Sequence, residues 1–147
     1  MPVFIREKMS KTMKPLISII TPCYNRKDML RECINTIIRQ SLADWEMVVV
    51  DDCSEDDLSF VAGLDRRIVY VRQGYRNYTK AINLAQKKSA GKFIMPFDSD
   101  DLMTNHSMLK ILSDYLSNNK RCDAVYSDYN YICPNGDMGV RRLGKSI

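Results

Sequence analysis

No Gly-x-Gly-x-x-Gly string occurs in these 147 residues, and no Gly-Lys-Ser/Thr loop follows the first apolar run. That counts against a dinucleotide-binding Rossmann enzyme and against a P-loop ATPase. No apolar run approaches the roughly 20 residues of a membrane span. Residues 1–14 are basic but lack the continuous apolar stretch of a signal peptide. The five cysteines (Cys23, Cys33, Cys53, Cys122, Cys133) form an odd set without a Cys-x-x-Cys pair, which fits neither a zinc knuckle nor a disulfide framework. A reducing cytoplasm is the expected setting. Histidine is nearly missing, so a nucleophilic Cys23 or Cys53 would have to take His106 as its base.

A basic face on the folded body is also missing. The net charge of +4 sits at the ends: residues 1–14 hold four Lys/Arg against Glu7, and residues 141–147 hold Arg141, Arg142 and Lys145. Residues 15–140 carry 15 basic and 17 acidic groups. A polynucleotide binder needs the reverse, so no nucleic-acid partner is expected. The chain divides into a flexible basic leader (1–14), one folded domain (15–140) and a basic tail (141–147).

What is present is an alternation of apolar runs and helical stripes. Leu16–Ile20 reads as a first strand whose pairing Pro22 stops. Met29, Leu30, Cys33, Ile34, Ile37 and Ile38 make one stripe of a helix from about Asp28 to Gln40. Trp45–Val50 is the second strand, a weak helix follows near Leu58–Leu64, and Ile68–Val71 is the third strand. Asn77 or Thr79 caps a helix to about Ser89, with Tyr78, Ala81, Ile82 and Ala85 along one side. Lys92–Phe97 reads as a buried fourth strand, a helix capped by Thr104 or Asn105 reaches Leu116, and Asp123–Ser127 reads as a fifth strand. Pro134-Asn135-Gly136-Asp137 marks a hairpin. Strands separated by helices imply right-handed parallel crossovers, an α/β fold with a mostly parallel sheet.

Two of these strands end in carboxylates, Asp51-Asp52 and Asp98-Ser99-Asp100-Asp101. Such clusters must face solvent, a cation or a ligand, because unpaired burial is costly. Oxygen donors at i and i+2 suit Mg²⁺ or Mn²⁺, which take substrate phosphates as further ligands. An acidic first turn before the following helix is the plainer alternative. A carboxylate at the second strand end can accept the imino N–H of a pyrimidine, and Tyr24, in Thr21-Pro22-Cys23-Tyr24-Asn25, offers a stacking face. Helix capping and an ordinary strand-to-helix turn are the plainer alternatives there.

Four motifs occur in order: Pro22-x-Tyr24-Asn25, Val50-Asp51-Asp52-x-Ser54, Gly91-Lys-Phe-Ile94 leading to Asp98-x-Asp100-Asp101, and Val125-Tyr-Ser-Asp128. In these the chain, from about Leu16 to Gly136, resembles the family 2 glycosyltransferases. The resemblance implies a three-layer α/β/α, Rossmann-like GT-A fold that stops before the acceptor-binding half. It places Pro22, Tyr24 and Asn25 around the base and ribose and Asp52 on the base's imino group, with Asp51 supporting the turn. Asp98 falls near the ribose or metal, Ser99 beside the donor, and Asp100 on the metal, with Asp101 nearby. The family's Ala-Arg-Asn triplet is here Ala81-Ile82-Asn83: Asn83 is kept, the arginine is lost, and Lys80 or Arg76 is the expected substitute charge on the diphosphate.

The implied reaction moves a sugar from a nucleoside diphosphate, UDP by family habit, to a sugar, polysaccharide or lipid-linked hydroxyl, usually with inversion and with Mn²⁺ or Mg²⁺. The implied location is cytoplasmic, with peripheral contact at a membrane's inner face. No residue matches the general base, since Asp123, Asp128 and Asp137 stand in the wrong context. A non-catalytic nucleotide-sugar-binding module of a larger protein or complex is the alternative. A phosphoryl-transfer receiver domain would need its acidic pair after strand one, and a nucleotidyltransferase would need a glycine-rich loop there.

Overall fold

The computed structural model describes residues 14–142. Most of the expected leader and residues 143–147 of the expected tail lie outside the described residues. The chain divides into two compact units, one through Leu109 and one from Lys110.

The first unit contains β1 (Ile17–Cys23), α1 (Lys27–Ile38), β2 (Trp45–Asp51), a 3₁₀ turn (Ser59–Gly63), β3 (Ile68–Arg72), α2 (Tyr78–Lys88) and β4 (Phe93–Pro96). The four strands form one wholly parallel sheet in the order β3-β2-β1-β4. Strand alternation sorts its side chains into two layers. Ile17, Ile19, Met47 and Val49 pack with Leu30, Cys33, Ile34 and Ile37 of α1. Ile20, Val48 and Val50 pack with Ala81 and Ala85 of α2. This is the expected α/β sandwich, and burying each Leu or Ile of the α1 stripe contributes about 2 kcal/mol. Met29 lies outside that stripe and is exposed.

Three expectations about strands fail. Pro22 does not end β1: the pairing with β2 continues through Pro22↔Val50 and Cys23↔Asp51. The β4 pairing has already ended at Ile20↔Pro96. The Cys23 carbonyl accepts from Asp52 N on the β2 side and that of Ile20 from Phe97 N on the β4 side. By alternation, the N–H that Pro22 lacks would face the open side, where proline is tolerated. Next, the buried-looking fourth strand is an edge strand, with Ile94 and Pro96 exposed. Finally, Asp123–Ser127 forms no strand. Its β-prone residues lie in neither sheet, and propensity without a pairing neighbour makes no ladder.

The second unit holds most of α3 (Met108–Asn118) and an antiparallel hairpin of β5 (Tyr129–Ile132) and β6 (Met138–Arg141). The hairpin turns at Pro134–Asp137, as its sequence requires, with Gly136 at φ +87°. The phosphate-loop spacing does occur once, in Gly139-Val-Arg-Arg-Leu-Gly144-Lys145-Ser146. Its context is wrong. Gly139 lies inside β6 opposite Tyr131, whereas a phosphate loop joins a strand to the helix whose N-terminus holds the anion. Residues 143–147 of the string are outside the described residues.

Candidate active site

In the strand order 3-2-1-4 the connections run outward from β1 in opposite directions, so a crevice opens at the strands' C-terminal ends. A cleft of about 310 Å³ lies there, lined by Pro22, Cys23, Tyr24, Arg26, Asp52, Tyr78, Asp98 and Ser99. A larger hollow of about 510 Å³ beside Ala43 and Gly63–Arg67 holds only one carboxylate, Asp65. Arg67 already grips that carboxylate through two nitrogens, so it offers little chemistry.

The end of β2 is internally wired. Asp51 is fully buried and faces away from the cleft. Its Oδ1 accepts from Ser54 N at 2.8 Å, and its Oδ2 accepts from Tyr70 Oη at 2.9 Å and Arg72 at 2.7 Å. Arg72 also donates to the Ser54 carbonyl. These bonds hold Cys53 at φ +65°, a left-handed conformation that costs a non-glycine residue about 1–2 kcal/mol. Burial first, and then Asp51, pushes the Tyr70 phenol up to about 12.

Asp52, next in the chain, faces the cleft. Its Oδ1 takes the Gln73 side-chain amide and, at 2.6 Å, the backbone N–H of Asn77. Asn77 in turn caps α2 by accepting from Lys80 N. Among the described residues no such bond engages Oδ2.

At the end of β1, Tyr24 is half-buried, and the Arg76 guanidinium lies 4.1 Å from its ring centroid. Asn25 adopts φ +51°, which asparagine tolerates. Its amide oxygen accepts from Glu55 N while its own N–H donates to Ser54 Oγ. Asn25 therefore ties two loops together outside the cleft lining, where base and ribose contact was expected.

At the end of β4, Asp98 lines the cleft with its Oδ1 3.5 Å from Tyr78 Oη. Ser99 is buried and, like Cys23, lines the cleft. Asp100 pairs with Arg26 at 3.0 Å. Burial, and after it Asp98 and Asp100, push the Asp101 carboxyl up. Burial also pushes up the Cys23 thiol, and that of Cys33 to about 12. That is the opposite of nucleophile activation.

Besides Asn25 and Asp51, three expected residues are not in the cleft lining: Lys80, Asn83 and Asp100, the last of which meets it only through its ion pair with Arg26. Lys80 is exposed, its Nζ 4.8 Å from the Tyr75 ring centroid, and Asn83 is exposed on α2. Sequence reasoning missed Arg26, Tyr78, Gln73, Tyr70 and Arg72. A signal existed for the last two: Tyr70 and Arg72 alternate onto one face of β3, and Arg72 is in register with Asp51.

Glycosyl transferase family 2 matches residues 18–143. The chain belongs to that family. It is 33% identical over 127 residues to an Escherichia coli UDP-Glc:alpha-D-GlcNAc-diphosphoundecaprenol beta-1,3-glucosyltransferase, WfgD, covering 84% of this chain and 49% of that protein. The S. aureus TarS fragment 1–349 in complex with UDP-GlcNAc superposes with a TM-score of 0.65 at 29% identity, over 72% of this chain and 32% of that one. The Pyrobaculum calidifontis mannosyltransferase PcManGT, in complex with GDP-Man and Mn²⁺, gives 0.65 at 26% identity, over 72% of this chain and 33% of that one. The fold is accordingly the GT-A fold. The chain spans about half the length of two curated relatives, 50% and 49%, and 14–37% of others.

Proposed function

We propose that this chain binds a nucleoside-diphosphate sugar in the cleft and serves transfer of the sugar to an acceptor hydroxyl. The observation that carries the reading is that Tyr24, Asp52 and Asp98, from three strand ends, line one cleft. Tyr24 offers its ring to the base, and Asp52 Oδ2 accepts the imino N–H, a charge-assisted bond that favours uridine over cytidine. Pro22 and Ser99 shape the walls. The UDP-GlcNAc complex of TarS and the UDP-Glc donor in the name of WfgD support the same choice.

Asp98 and Asp100 fit a hard cation. They are oxygen donors two residues apart just after β4, which suits Mg²⁺ or Mn²⁺ held by one or two carboxylates and completed by donor phosphates. When bound, such a cation supplies positive charge to the departing diphosphate. The protein's own task is to fix the donor. The wired β2 turn positions Asp52, and Tyr24 sets the plane of the base. The acceptor oxygen bonds to the anomeric carbon as the bond to the diphosphate breaks. The electron pair leaves with the diphosphate, and the hydroxyl proton passes to a base for which no residue is assigned.

The acceptor on this reading is a sugar, polysaccharide or lipid-linked sugar, and the setting is cytoplasmic with peripheral membrane contact. No described helix is long and apolar enough to cross a membrane. Titration calorimetry of UDP, GDP and dTDP, with and without Mn²⁺, tests the proposal on wild type and Asp100→Ala. Metal-dependent UDP binding lost in the variant is expected. Binding indifferent to both metal and Asp100 would count against it.

A further inference from the structure

Where the resemblance led to an expected arginine, this chain has Ile82, packed against Ile20, Val48 and Val50 of the sheet. A diphosphate still needs a cationic partner. Lys80 and Arg76, the substitutes expected from sequence, are engaged on the rings of Tyr75 and Tyr24, and neither lines the cleft. The basic side chain that does is Arg26. It caps the N-terminus of α1, which has no side-chain hydrogen bond to its first-turn amides. A helix N-terminus favours an anion as well.

We infer that Arg26 is the diphosphate-binding cation of this site, parked on Asp100 until a metal ion claims that carboxylate. The inference rests on the proposed donor-binding role of the cleft. The guanidinium and the Asp100 carboxylate are 3.0 Å apart, with side chains 47% and 41% exposed. An ion pair this open contributes little and is easily exchanged. Asp98 and Asp101 flank Asp100 in the chain, and like charges in one turn repel one another. Arg26 offsets part of that repulsion. A divalent cation on Asp100 offsets more of it and repels the guanidinium. The displaced side chain is long enough to remain in the cleft, where the fork of N–H donors matches phosphate oxygens. The same residue thus competes with the metal and cooperates with the nucleotide.

Those two roles predict opposite signs, which a merely structural residue would not show. In Arg26→Ala, and in Arg26→Gln, which keeps the length of the side chain, Mn²⁺ alone binds about two- to fivefold more tightly, as loss of an exposed pair implies. With Mn²⁺ saturating, UDP binds about 10- to 100-fold more weakly, the size of a lost charge-assisted contact. Uridine, which lacks phosphates, keeps its affinity in both variants. Manganese affinity is read by electron paramagnetic resonance of free Mn²⁺, and nucleotide affinity by calorimetry. Unchanged Mn²⁺ and UDP affinities, both moving in one direction, or an equal loss for uridine would each overturn the role of Arg26. A wild-type chain that binds neither Mn²⁺ nor UDP removes the donor site itself together with this inference.

Discussion

The two acidic turns, Asp51-Asp52 and Asp98 to Asp101, looked alike in sequence and are built on different principles. In the first, Asp51 is fully buried and answered by Ser54, Tyr70 and Arg72, while Asp52 is tied to Gln73 and Asn77. In the second, Asp98 and Asp100 are exposed, with one long contact to Tyr78 and one open ion pair to Arg26. One turn is pre-organised and the other is left open. Pre-organisation suits recognition of a rigid base. An open cluster suits a cation, whose charge its carboxylates need. Keeping the open turn costs little because water solvates its charges, whereas the buried turn must satisfy every group it hides.

The sharpest way to break this comparison is to neutralise one carboxylate in each turn. Asp51→Ala leaves Tyr70 and the Ser54 N–H without an acceptor and frees Cys53 from the bonds that hold its left-handed conformation. A loss of about 2–4 kcal/mol is expected, below the full cost of a broken buried pair because Arg72 can turn to water. Asp100→Ala removes only an exposed pair and should change stability by less than about 0.5 kcal/mol. Urea unfolding of both variants reads the difference. Equal losses would mean that the two turns are not distinct in kind.

How much of this was legible in the chain follows from the same contrast. The apolar runs and the α1 stripe set the sheet and its covering helix, because periodicity reports burial directly. The positions of Tyr24, Asp52 and Asp98 at one crevice followed from parallel topology, which puts all strand ends on one edge. Pairwise partnerships were not legible. Nothing local says that Asn25 reaches Glu55, or that Arg26 meets Asp100, because these contacts depend on where separate loops lie in space. Pro22 misled for a related reason: its missing N–H matters only if a neighbour stands on that side. Asp123–Ser127 misled because β-propensity describes a surface waiting for a partner.

A smaller effect should come from Asp52→Asn, which keeps the shape of the wired turn but removes its charge. UDP affinity is expected to fall about tenfold, with a stability loss of about 1 kcal/mol, as a charge-assisted acceptor becomes a neutral one. If binding is unchanged while stability falls, Asp52 belongs with Asp51 as a turn support and the cleft has no base-reading carboxylate.

The smallest effect sharpens the contrast within aromatic partners of the two turns. Tyr70→Phe removes one donor from buried Asp51 and should cost about 1 kcal/mol, while Tyr78→Phe, losing only a 3.5 Å contact to exposed Asp98, should cost almost nothing. The pH dependence separates them further. Burial and Asp51 raise the Tyr70 phenol to about 12, against about 10 when unfolded. Between those values the folded state holds its proton longer than the unfolded state does, so stability falls as pH rises. The advantage of wild type over Tyr70→Phe should therefore be complete below pH 10 and shrink as pH rises through about 12. An advantage that stays constant over that range would mean that the Tyr70 hydroxyl proton is not what Asp51 accepts.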